Sequence, residues 1–273
     1  MKIGIIGSGG VIGGMIGEFL FLEGVQTVGF ARHKNPEFEY LDVLDFENPT
    51  NFSHIDYVVY CSWATKNRTK KSQAEHAKAA GHWARIAKEN RCKFIFISTV
   101  LASANAKSNY GIYKYLAETK VEEFGGKSLR LGLVADDAYD LLLTKLRRLD
   151  RKFSIVSELS AFQIYAVSSS YFLNVLMTIL NEWPKGSVFW VAPEKTESLS
   201  VLVRSGRSSK ITNYNLFRFM AKMVAALPIT RGSVGAVIDG IKGVVHQDLV
   251  IFDQNTTCVR VNTLNGWDSN LFL

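Results

Sequence analysis

Met1-Lys-Ile-Gly-Ile-Ile6 runs straight into Gly7-Ser-Gly-Gly10-Val-Ile-Gly13-Gly14. The first six residues read as a short apolar strand. After the glycines, Val11, Met15, Ile16 and Phe19 recur at helical spacing, and Gly24 stands in the usual C-terminal position of a helix. Strand, turn and helix in this order give each glycine a task. Gly7 permits the tight turn, Gly10 lets the backbone approach a diphosphate, and Gly13 lets helix and strand pack closely. The diphosphate would rest on the helix N-terminus, beside Ser8, Gly10, Val11, Ile12 and Gly13, where free N–H groups and the dipole favour negative charge. Glycines at this spacing also mark ordinary loops. The complete strand-turn-helix context is what makes this one a dinucleotide site.

Strands and helices alternate through the first half of the chain. The pattern predicts strands over 2–6, 25–31, 37–41, 56–61, 93–98 and 127–133, and helices over 11–23, 70–90 and 108–124. Such alternation implies a parallel sheet with right-handed crossovers, an α/β doubly wound architecture of the Rossmann type. The second strand ends at Arg32-His33-Lys34, with no acidic residue until Glu37. A binder of the unphosphorylated dinucleotide usually carries Asp or Glu here for the ribose hydroxyls, whereas a basic cluster pairs with a 2′-phosphate. Arg32 therefore points to NADP, with NAD as the alternative. A solvated basic turn is the plain explanation of the same residues.

Phe94-Ile-Phe-Ile97 reads as a buried strand that ends at Ser98-Thr99, and Tyr110-Gly-Ile-Tyr-Lys114 follows on the next helix. Tyr110 and Lys114 are four apart and share one helix face. A lysine cation beside a phenol favours the phenolate and brings the tyrosine pKa down from about 10. Thr99, at the carboxyl end of its strand, faces the ligand crevice of an open α/β sheet. A hydroxyl, a phenol and an ammonium so placed can move a proton beside a hydride acceptor.

Taken together, Gly7/Gly10/Gly13, Thr99 and Tyr110-x-x-x-Lys114 resemble the extended branch of the short-chain dehydrogenase/reductase superfamily, which acts on nucleotide sugars. The resemblance covers residues 1 to about 135. It implies that Tyr110 is the acid/base, that Lys114 lowers its pKa and bonds the nicotinamide ribose, and that Thr99 with Ser98 holds the reacting oxygen. It assigns Arg32 to the adenosine phosphate. Asp42-Val43 resembles the pair whose first member contacts adenine. Cys61-Ser62 resembles the turn that lies along the cofactor, and Val134 precedes the loop that passes the nicotinamide. The chain also departs from the pattern. Only Val100 to Asn109 separate Thr99 from Tyr110, so the substrate side is trimmed, and the middle helix offers Gln73 and His76 instead of the family's asparagine. Thr99 is followed by Val100-Leu101 and not by the acidic pair of the dehydratases, which leaves reduction of a keto-sugar or epimerisation. A dinucleotide-sensing regulator or a reductase of a non-sugar carbonyl are the competing readings. The family habit implies a homodimer through the helices after 70 and 108.

Composition is consistent with this. The chain has 273 residues, 47% hydrophobic and 21% charged, with a net charge of +7, which suits anionic ligands. Its basic residues are scattered, so no nucleic-acid patch is expected. Three widely spaced cysteines suggest neither a disulfide framework nor a zinc site, and no apolar run approaches a membrane span. A cytoplasmic protein without metal is expected. Trp63 is read as a substrate flank or a core residue, and the histidines as surface or capping residues.

The division expected is a dinucleotide-binding domain over 1–135, then 136–273 completing the sheet and adding a smaller substrate domain. In that second part the pattern predicts a basic helix over 139–151, a strand over 162–167, a helix capped by Ser168, and a strand over 187–191. A loop over 195–210, a helix over 213–226 and a hairpin within 249–261 complete the expectation, with Arg204, Arg207 and Lys210 as solvated surface cations.

Overall fold

The computed structural model describes residues 1–202 except 34–35, 49, 65–68, 137, 139–145, 148–162, 194–195, 199 and 201. The predicted helix over 213–226 and the hairpin within 249–261 lie outside the described residues, as does all but Leu146 and Arg147 of the helix expected over 139–151.

The strands are β1 (Lys2–Ile6), β2 (Gln26–Ala31), β3 (Glu39–Tyr40), β4 (Tyr57–Tyr60), β5 (Lys93–Thr99), β6 (Lys127–Leu131), β7 (Leu133–Ala135), β8 (Gln163–Ile164), β9 (Ala166–Ser168), β10 (Val188–Val191) and β11 (Glu197–Ser198). The helices are α1 (Val11–Leu22), α2 (Lys70–Glu89), α3 (Asn109–Glu123) and α4 (Ser169–Glu182). Seven strands form one parallel sheet in the order β10-β6-β5-β4-β1-β2-β3. The order reverses between β1 and β4, and the crevice of a doubly wound sheet opens there, beyond the carboxyl ends of the two strands.

Alternation along the central strands sends side chains to two cores. Ile3 and Ile5, Tyr57 and Val59, and Ile95 and Ile97 face α1 and α4. Ile6, Val58 and Tyr60, and Phe94 and Phe96 face α2 and α3. The second core is built for close approach. The helix α2 presents Ala77, Ala80, Ala84 and Ala87 around Trp83, whose indole Nε1 donates to the Val43 carbonyl at 3.0 Å. At Gly81 a Cβ would stand 2.8 Å from the Cβ of Lys120, so α2 and α3 touch almost backbone to backbone.

Helix starts follow their capping residues. Thr69 accepts from Ser72 N at 3.3 Å, Ser108 from Gly111 N at 3.1 Å and Ser168 from Tyr171 N at 3.2 Å, each closing a first turn. Some boundaries differ from the sequence pattern. The run expected as one strand over 127–133 divides at Gly132, whose missing Cβ would lie 2.5 Å from the Tyr165 carbonyl oxygen. β7 thereby leaves the main sheet and pairs with β9. The strand expected over 162–167 is likewise interrupted at Tyr165, and part of the expected loop after 195 is β11, paired antiparallel with β8. His76 and His82 are not surface caps. Both are half-buried, with ring centroids 5.8 Å from Trp63 for His76 and 4.8 Å from Phe46 for His82. Among the described residues no helix is long and apolar enough to cross a membrane.

Trp83 is fully buried while Phe21 is 75% exposed, so the same deletion should have opposite outcomes. Urea denaturation should show Trp83→Ala losing roughly 3–5 kcal/mol and Phe21→Ala changing stability by less than about 0.5 kcal/mol.

Candidate functional site

The glycine turn sits at the point of strand reversal. Gly7 has φ of +94°, and a Cβ there would come within 2.9 Å of the Ser62 nitrogen. The N–H groups of Gly7 and Ser8 both donate to the Phe30 carbonyl, at 2.9 and 3.2 Å, which ties the turn to the end of β2. Gly10 N donates to Gly7 O at 2.9 Å, and a Cβ on Gly13 would collide with that same oxygen at 2.3 Å. Helix α1 is therefore pressed onto the turn as closely as backbone permits. Its N-cap, Gly10, has no capping side chain, and its first turn carries no acidic residue. The N–H groups there keep the character of an anion cradle.

The other residues read from the sequence as cofactor contacts lie after β1, β2, β3 and β4, at the start of α1 and in β7. The Ser8 hydroxyl turns inward and donates to Ile5 O at 2.8 Å. Val11 is exposed and Ile12 half-buried beside the first core. Arg32 is exposed just past β2. Asp42 is half-buried and its Oδ1 accepts from Leu44 N at 3.1 Å, while Val43 is buried in the second core. Cys61 and Ser62 leave β4 directly against Gly7. Burial pushes the Cys61 thiol up to about 12, so it stays protonated and unreactive at neutral pH. Val134 is buried in β7, in register with Val167.

On the far side of the reversal, Thr99 closes β5, with its Oγ1 accepting from Leu101 N at 3.3 Å. The first turn of α3 is seated on the loop that follows. A Cβ at Gly111 would stand 2.4 Å from the Leu101 carbonyl oxygen, and this close seat brings Tyr110 to the Thr99 loop. One turn further on, Lys114 Nζ lies 5.9 Å from the centre of the Tyr110 ring. That ammonium is buried, donates to Ile97 O at 2.8 Å, and stands over the rings of Trp63 and Phe96 at 4.2 and 4.5 Å. Burial lowers its pKa to about 7, against the opposing pull of the Glu118 carboxylate. Trp63 meets Tyr110 edge to face at 6.4 Å. Its Nε1 donates to Gln73 Oε1 at 2.7 Å, and Gln73, fully buried, donates in turn to Ala64 O at 3.3 Å.

Beneath these residues lies a buried ionic clamp. Arg130 on β6 grips Glu118 on α3 through Nε at 3.0 and 3.1 Å and through Nη2 at 2.7 Å. Ser98 adds its hydroxyl to the same carboxylate at 2.5 Å. Burial pushes the Glu118 carboxyl up, and the Arg130 fork and the Ser98 hydroxyl pull it back down.

The structure thus brings Thr99, Tyr110 and Lys114 together on one side of the strand reversal and sets the glycine turn on the other, with the β4 exit at Cys61 and Ser62 between them. The sequence reading left Gln73 and Arg130 without a role and Trp63 undecided. A charged residue inside the otherwise apolar strand Leu129-Arg-Leu131, and an acid one turn beyond Lys114, were the available signals for the clamp. Nothing in the linear pattern says that Gln73 and Trp63 meet.

No protein-family model matches the chain, and no curated protein sequence matches it. Solved structures do. The UDP-N-acetylglucosamine 4-epimerase from Bacillus cereus superposes with a TM-score of 0.62 at 12% identity, over 74% of this chain and 79% of that one. MoeE5 in complex with UDP-glucose and NAD gives 0.61 at 17%, over 74% and 79%. TunA, an NAD-dependent NDP-hexosamine 5,6-dehydratase, gives 0.61 at 15%, over 88% and 97%. The chain shares the fold of these proteins.

Lys114 makes the stability depend on pH in a defined direction. The unfolded chain keeps this proton up to about 10.5 and the folded one only to about 7, so stability rises with pH between those values. Lys114→Met should remove that component. In urea titrations the variant should gain on the wild type, by an amount on the order of a few kcal/mol, at pH 6, with the difference shrinking toward pH 10.

Proposed function

We propose that this chain is a dinucleotide-dependent enzyme that oxidises or reduces a hydroxyl or keto carbon of a nucleotide-activated sugar, as a reductase or an epimerase. The observation that carries the reading is the convergence of Thr99, Tyr110 and Lys114 beside a glycine turn at the reversal of a parallel sheet. The fold shared with structures that hold UDP-glucose and NAD supports the same reading. A regulator that only senses dinucleotide has no use for a phenol and a buried ammonium on one helix face, which is why the enzyme is preferred.

The donor set fits a dinucleotide. The uncapped N-terminus of α1 and the missing side chains of Gly7, Gly10 and Gly13 suit a diphosphate. In this proposal Ser8, Val11 and Ile12 line that cradle, and Asp42 and Val43 bound the adenine side. Cys61, Ser62 and Val134 border the path to the reacting end, and Arg32 takes an adenosine phosphate, which favours NADP over NAD. The bound nicotinamide supplies or accepts the hydride. Tyr110 gives or takes the proton at the substrate oxygen, Thr99 orients that oxygen, and the Lys114 cation holds the phenol pKa low enough for the exchange.

Calorimetric titration with NADPH and NADH is the direct test. NADPH should bind more tightly, and Arg32→Ala should cost roughly tenfold to a hundredfold of that affinity, the worth of a charged hydrogen bond. NAD retained through purification would instead favour the epimerase, and no binding of either dinucleotide would sink the proposal. Tyr110→Phe should keep dinucleotide affinity and lose turnover of keto-sugar nucleotides by about 10²–10⁴-fold. Undiminished turnover would remove Tyr110 from its role.

A further inference from the structure

Lys114 is a buried cation with no carboxylate of its own among the described residues. Glu118, one turn away on α3, is committed to the Arg130 fork and to Ser98. The other titratable groups facing Lys114 offer little counter-charge. From the end of β4, Cys61 stays a neutral thiol because burial raises its pKa. From α2, His76 is held below its ordinary pKa by burial and by the Lys114 charge, and its buried Nδ1 has no hydrogen-bond partner among the described residues, so the ring favours its neutral form. What does face the ammonium is aromatic: Trp63 at 4.2 Å, Phe96 at 4.5 Å and Tyr110 at 5.9 Å. A ring face attracts a cation, tryptophan most strongly, and the attraction grows when water is excluded.

Trp63 is held by a dedicated side chain. Gln73 is fully buried, yet both ends of its amide are used on the loop after β4, Oε1 on the Trp63 indole and Nε2 on the Ala64 carbonyl. A buried amide satisfied in this way fixes its partner's orientation, because any other rotamer leaves polar atoms unpaired. We propose that Trp63, locked by Gln73, is a positioning residue that holds the Lys114 ammonium against its ring face and keeps it charged where a carboxylate counter-ion is missing. The consequence for turnover rests on the function proposed above. The consequence for the lysine itself does not.

The test therefore reads the lysine first. With ¹³C-labelled lysine, the Lys114 Cε resonance, assigned through Lys114→Arg, can be followed against pH in the protein without ligand. In the wild type it should titrate near 7. In Trp63→Phe, which keeps an apolar ring but weakens its field, the midpoint should fall by about half a unit to one unit. Gln73→Met, which keeps volume and releases the indole, should move it the same way, and it covers the case in which Trp63→Phe fails to fold. An unchanged midpoint or an upward shift in a folded variant overturns the proposal, because burial alone then sets the charge. Both variants should also lower kcat for the keto-sugar nucleotide with KM little changed. The titration needs no dinucleotide, so a failure to bind NADPH or NADH would count against the proposed function and leave this result standing by itself.

Discussion

The grip of Arg130 on Glu118 sets everything at the carboxyl edge of the sheet. Taking both charges out of water costs several kcal/mol for each ion, and only excellent geometry with further hydrogen bonds offsets it. Here one carboxylate takes the guanidinium fork and a serine hydroxyl, from β6 and β5 respectively. The helix that carries Glu118 cannot rotate or slide without leaving two buried charges unpaired. Tyr110, Lys114 and Glu118 are spaced by four residues along that helix, so they form a single stripe. Fixing its foot in the sheet fixes its head beside Thr99. A slip of one residue would turn the stripe by roughly 100° and carry the phenol away from the crevice.

Glycines complete the positioning by being absent where a side chain would intrude. Gly111 lets the first turn of α3 rest on the Leu101 carbonyl, and Gly13 lets α1 rest on the Gly7 carbonyl. The two contacts stand on opposite sides of the strand reversal. One brings a helix N-terminus with free N–H groups to the crevice, and the other brings a phenol and an ammonium. Between them lies the β4 exit at Cys61 and Ser62, which packs against Gly7. A parallel sheet makes this possible because all of its strands end at the same edge.

Much of this could be read from the chain because the relevant signals are local. Strand, glycine turn and amphipathic helix occupy one continuous run, and the spacing from Tyr110 to Lys114 needs no tertiary knowledge. The parallel sheet followed from alternation of six apolar strands with helices, and its seventh strand, β10, is placed by the structure. What was not legible depends on contacts across the sequence. Gly132 looked like an ordinary residue within one strand, and only the approach of the Tyr165 carbonyl shows why the strand must divide there. Arg130 is a charge in an apolar run, yet its partner lies on another element. Gln73 seemed a poor substitute for an expected asparagine, and its meaning appears only when the Trp63 indole is seen to donate to it.

Among the described residues rings and not a carboxylate face Lys114, an arrangement that suits the role proposed for it, lowering the pKa of the Tyr110 phenol. A cation lowers the pKa of a phenol in proportion to the net charge that the phenol feels. A carboxylate bound to Lys114 would hold the ammonium firmly, but its negative charge would cancel most of the field at Tyr110 and would itself disfavour a phenolate. Aromatic faces hold a cation through their quadrupoles and add no net charge. Glu118 is near enough to matter, and the Arg130 fork neutralises it. Among the described residues the pocket thus keeps a positive charge without a carboxylate partner beside a phenol, at the cost of a lysine that loses its proton far more easily than one in water. Such a lysine is unfavourable in the resting protein and becomes favourable when an anion such as a phenolate forms beside it.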